Sequence, residues 1–119
     1  MKKAQLSTTP DSAATQTFMV VGIIRDDANL QEFAALRDDE RKQLEALRSE
    51  GRIGAHYVSP SRRATFVEVI AADEKQVAET LATLPFARFF DADVYPTAPP
   101  DEAEAAHRAR LSREPFTRG

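Results

Sequence analysis

Apolar residues recur along this chain in continuous runs, at a helical period or in strict alternation, and each change of spacing marks a new element. "TFMVVGIIR" (Thr17–Arg25) is an unbroken apolar run rich in β-branched residues, the pattern of a central strand covered on both faces. Gly22 interrupts it where another backbone or a ligand can come close. From Leu30 to Glu50 the period turns helical. Phe33, Leu36, Leu44 and Leu47 share one stripe, and "RDDERK" (Arg37–Lys42) and "RSE" (Arg48–Glu50) supply the polar side. Asn29 with Glu32 makes a capping-box pattern at its start, and Gly51 is a natural stop.

"RIGAHYVS" (Arg52–Ser59) and "RATFVEVIA" (Arg63–Ala71) predict two further strands joined by a short turn at Pro60. A second amphipathic helix spans Asp73–Leu84, with Val77, Leu81 and Leu84 on one side and Pro85 ending it. The last strand, Arg88 to Tyr95, alternates. Phe89, Asp91, Asp93 and Tyr95 fall on one face, and Phe90, Ala92 and Val94 on the other. The order βαββαβ is that of a ferredoxin-like α+β sandwich, an antiparallel four-stranded sheet with both helices on one face. Residues 1–16 read as a mobile N-terminal arm, 17–97 as the domain, and 98–119 as a C-terminal extension. Within that extension, Asp101–Arg113 predicts a short alanine-rich helix that packs on a neighbouring subunit. The uncovered sheet face would carry Phe89, Tyr95 and residues of the first strand, too much apolar area for so small a chain to leave wet. Two copies pairing face to face would close a barrel-like cavity between them, so at least a dimer is expected.

Composition narrows the function. With 119 residues, 42% hydrophobic and 29% charged, the chain is one ordinary globular domain. A net charge of -3 argues against nucleic acid as a partner. The absence of cysteine excludes disulfides and thiolate metal sites, and His56 and His107 stand in no ligand spacing, so no metal is expected. No apolar run approaches the roughly 18–20 residues needed to cross a membrane, and "MKKAQLSTTPDSAATQ" lacks the apolar core of a signal peptide. A cytoplasmic setting is the expectation. Neither a phosphate-cradling glycine loop nor a GxSxG elbow occurs.

Candidate chemistry centres on Glu40, which sits mid-stripe between Leu36 and Leu44. A carboxylate there is partly desolvated, which raises its pKa and suits a general base. The alternative is that it leans to the stripe's edge and pairs with Arg37 or Arg41. His56 and Tyr57 occupy adjacent, opposite-facing strand positions, and whichever faces a ligand can donate a hydrogen bond, though a lone strand histidine also serves structural roles. Glu68, Asp91 and Asp93 form a possible acidic cluster, with Arg62, Arg63 and Arg88 as counter-charges. Interface salt bridges are the competing use of these groups.

"LRDDERKQLEALRSEGR" (Leu36–Arg52) and "LPFARFFDADVYP" (Leu84–Pro96) together resemble the muconolactone delta-isomerase family. The matching positions are Leu36, Asp39, Glu40, Glu50, Gly51, Leu84, Pro85, Asp91, Asp93, Val94 and Pro96, within a similarity that covers about Phe18 to Pro96. The resemblance implies a dimeric α+β barrel, a homodimer or a larger ring. It also implies a cofactor-independent isomerase shifting a proton on a small unsaturated lactone in aromatic-compound catabolism. Glu40 falls on the family's helix glutamate and is the implied base, with His56 beside it as the second catalytic candidate. Tyr57, Arg62, Arg63, Phe89, Asp91 and Tyr95 are the substrate-binding candidates. The chain departs from the family in carrying Val20 and Gly22 where polar residues are usual, and in lacking tryptophan. A different class of function is a non-catalytic barrel that binds a small lactone or aromatic metabolite, or only assembles. A third is a cofactor-free monooxygenase of the related barrel group.

Overall fold

Residues 15–113 are described by a computed structural model, and all but the last two residues of the expected N-terminal arm lie outside them. Strand β1 (Gln16–Ile24) is followed by helices α1 (Leu30–Ala35) and α2 (Arg37–Ser49) and strand β2 (Ile53–Ser59). Strand β3 (Ala64–Ala71), helix α3 (Glu74–Ala82), strand β4 (Phe90–Pro96) and helix α4 (Pro100–Arg113) complete the order. The sheet runs β2-β3-β1-β4, with every neighbouring pair antiparallel. This is the ferredoxin-like α+β sandwich that the spacing predicts.

One sheet face meets the helices. Phe18 and Val20 of β1, Ile53 of β2, and Val67, Val69 and Ala71 of β3 pack there against Leu44 and Leu47 of α2 and Val77 of α3. The opposite face carries Met19, Val21, Ile23, Phe66 and Ile70 in the alternate positions. Ile23, Tyr57 and Tyr95 on that face are exposed, at 44%, 66% and 52%. Helix α4 leaves the face open, because residues 101–111 are themselves solvent-exposed. Among the described residues no helix is long and apolar enough to cross a membrane.

Local chemistry explains the boundaries. The Asn29 side chain accepts hydrogen bonds from the amides of Gln31 and Glu32, and Asp73 accepts from Gln76, so both caps form as the residue types demand. Gly51 takes a left-handed φ of 74°, the helix-ending geometry that costs glycine least.

Two boundaries differ from the sequence reading. The helix expected to run unbroken from Leu30 divides at Leu36, whose φ and ψ of -95° and 3° turn the first segment aside. The turn lets Phe33 stack on Phe86, with ring centroids 4.0 Å apart and planes 17° from parallel. The last strand begins at Phe90, not Arg88, because Pro85 opens a 3-10 turn over Pro85–Phe89. Phe89 is therefore not aligned with Asp91 on the open face. It is 4% exposed and meets Phe33 edge-on at 5.5 Å.

Candidate active site

At the end of the sheet where β1 finishes, the large core side chains give way to smaller ones and a cavity of about 710 Å³ opens beneath α2. Val20, Gly22, Ile24 and Ala92 form part of its floor, and Phe33, Phe86 and Phe90 stand at one end. Helix α2 presents Arg37, Glu40, Arg41, Leu44 and Arg48, spaced along a single helical stripe. His56, Val58 and Arg63 line the side toward β2 and its turn. This cavity lies within one chain, on the helix-covered side of the sheet.

Glu40 is the most unusual group in it. The residue is 8% exposed, yet it makes no salt bridge with Arg37, Arg41 or any other cation among the described residues. Arg41 is engaged with Asp38 and Glu45 instead. Glu40 Oε1 accepts a 2.8 Å hydrogen bond from the amide of Phe86, which ties α2 to the 3-10 turn. Burial pushes the Glu40 carboxyl above its ordinary range, and the Phe86 amide offsets part of that rise. The expected alternative, an exposed carboxylate paired with arginine, is not the arrangement found.

His56 shares the cavity. Its Nε2 lies 2.9 Å from the Thr65 hydroxyl, and that hydroxyl donates to the Tyr57 carbonyl at 3.3 Å. Thr65 has one hydroxyl proton, so it accepts from His56 Nε2–H and leaves Nδ1 as an acceptor. Burial, with the Arg48 charge adding to it, lowers the His56 pKa and so favours the neutral ring.

The other candidates divide by geometry. Arg63 reaches the cavity from a left-handed position (φ 55°) closing the β2–β3 turn, whereas Arg62 in that turn is exposed and is not part of the cavity wall. Tyr57 points to the open face because it follows His56 along a strand. Asp91 and Tyr95 also lie on that face, across from Ile23 and Met19. Glu68 does not join Asp91 and Asp93. Its carboxylate accepts from the Ala55 amide, at 2.9 Å, where the β2–β3 register shifts between Ile53 and His56. Arg48 was not singled out from the sequence, and Arg37 was named only as a possible ion-pair partner of Glu40, although both share the stripe of Glu40. No carboxylate pairs with Arg37, Arg48 or Arg63 among the described residues.

Fold and cavity define a ferredoxin-like α+β protein with one buried carboxylate in an apolar pocket edged by arginines. The family model for muconolactone delta-isomerase matches residues 17–103, from β1 into α4, and the chain belongs to that family. A comparison with curated proteins found no match.

Proposed function

We propose that this protein is a cofactor-independent isomerase that moves a proton along a small unsaturated lactone bearing a carboxylate, as a step in aromatic-compound breakdown. The supporting observation is Glu40: a buried carboxylate, without a cation partner among the described residues, in an apolar cavity of ligand size. Burial makes it a stronger base than a solvated carboxylate and lets it exist as the acid partway through a reaction. In the proposed shift, Glu40 removes the proton from the ring carbon γ to the lactone carbonyl. The C–H pair forms the new ring double bond, and charge moves through the old one to the carbonyl oxygen as a dienolate. The Glu40 acid then returns the proton to the α carbon, so one proton leaves and one arrives.

The dienolate oxygen needs a cation or a hydrogen-bond donor. His56 has its donor engaged on Thr65, and a bare Nδ1 has the wrong polarity. The arginines Arg37, Arg48 and Arg63 are the better donors, and they also suit the substrate's own carboxylate. Arg63→Ala is expected to raise KM roughly tenfold or more, the effect of losing a charged hydrogen bond. Because Arg63 is exposed, melting temperature should stay near wild type. Steady-state kinetics alongside a thermal melt checks both.

The open face is proposed to meet a copy of itself, giving a homodimer or a larger ring. A second reading is favoured by the Glu40–Phe86 bond: Glu40 anchors the turn, and the cavity binds a lactone or aromatic metabolite without reaction. Muconolactone incubated with the protein in D2O and followed by proton NMR separates the two. The isomerase reading expects deuterium at the α carbon together with the migrated double bond. Tight binding without exchange supports the second reading.

A further inference from the structure

The floor of the cavity is shaped by a missing side chain. Gly22 pairs with Thr65 of β3 on one side and Ala92 of β4 on the other. A Cβ at Gly22 would stand 3.1 Å from Phe90 Cδ2 and 3.1 Å from the Thr65 methyl, closer than ordinary contact. The Phe90 ring thus lies against bare backbone, and a side chain at position 22 would crowd both it and the Thr65 methyl, so that one of them would have to give. Ala92 shares this face and is exposed even though it faces the helices, so the floor continues to the sheet edge. Thr65, beside Gly22, has its hydroxyl engaged with His56 and the Tyr57 carbonyl. Over Gly22, Phe90 and Ala92 the floor is apolar, whereas His56 lies toward β2 and Arg37, Arg48 and Arg63 carry charge elsewhere around the same cavity.

At about 710 Å³ the space suits a ligand well above the size of a bare five-membered lactone. We propose that this chain is built for an acid carrying a sizeable apolar substituent, with the substituent over Gly22, Phe90 and Ala92 and the carboxylate at the arginines. Gly22 and Ala92 are then specificity-determining residues. The inference rests on the cavity being the substrate site, as the isomerase reading holds.

Isothermal titration of muconolactone and its ring-methyl, ring-butyl and ring-phenyl derivatives into the Glu40→Gln protein, where turnover is suppressed, tests it. Affinity should rise about fourfold per buried methylene. In the same background, Ala92→Leu adds bulk at an exposed edge position and should erase the gain for the butyl and phenyl compounds. Gly22→Ala should act in the same direction by adding a methyl to the floor and crowding Phe90 and Thr65. A flat series, tightest binding of the parent compound, no binding of any member, or an undiminished gradient in Ala92→Leu overturns the proposal. Binding is read in Glu40→Gln and exchange in the wild type, so the two readings fail separately. A gradient without deuterium exchange leaves the floor assignment standing and removes the isomerase, and exchange with a flat series does the reverse.

Discussion

Glu40→Gln is expected to lose two to four orders of magnitude in isomerisation rate, roughly the range a positioned general base contributes, with folding intact. The amide keeps an oxygen for the Phe86 N–H and nearly the same volume, so the bond between α2 and the 3-10 turn can persist. It removes the ionisation. In the wild type the folded carboxyl holds its proton more tightly than the unfolded one, whose ordinary pKa is 4.5. Over that window the native state binds more protons, so wild-type stability falls as pH rises through it. Glu40→Gln lacks this slope. Its stability relative to wild type should therefore improve from pH 4.5 upward and level off above the raised pKa. Denaturant melts at several pH values measure this, and kinetics at neutral pH measures the rate. A variant that is both inactive and much less stable would mark Glu40 as a structural anchor.

Val21→Glu is expected to convert the proposed face-to-face dimer to monomers. Val21 lies on central strand β1, facing away from the helices, with Phe66 and Asp93 as its cross-strand neighbours. In a single chain this position is half-buried and borders solvent, so a carboxylate costs the monomer little. Against a second sheet the same carboxylate would be desolvated without a partner and beside Asp93, a penalty of several kcal/mol. Light scattering should give the wild type at least twice the 13.2 kDa of the chain, and the variant 13.2 kDa with an unchanged circular dichroism spectrum. A wild type that is monomeric at micromolar concentration rejects the paired-face proposal.

The sandwich was legible because spacing carries it. The β-branched run of β1, the stripe of α2 and the alternation in β4 each fit one element and no other. Glu40 was legible for a related reason: a charge in the middle of an apolar stripe is conspicuous. Phe89 was misplaced because alternation was extended back through a turn that Pro85 opens, and proline's effect on the following residues is not periodic. The break at Leu36 rests on one residue's dihedrals and on a ring, Phe86, fifty positions away. The cavity itself leaves the faintest trace. It exists where Gly22 and Ala92 fail to fill space, and absent volume forms no motif. The sequence reading looked for a chamber between subunits, on the face of Asp91 and Tyr95, and did not foresee this second space within the chain.

The claim beneath the functional account is that a desolvated Glu40 is the group that takes the substrate proton. Titrating the carbon-13-labelled Glu40 carboxyl by NMR, with the exchange rate followed over the same pH range, tests it most directly. The account predicts a Glu40 midpoint above 4.5, with the rate rising through that same midpoint as the carboxylate forms. A midpoint at or below 4.5, or a rate that rises at a different pH, contradicts it.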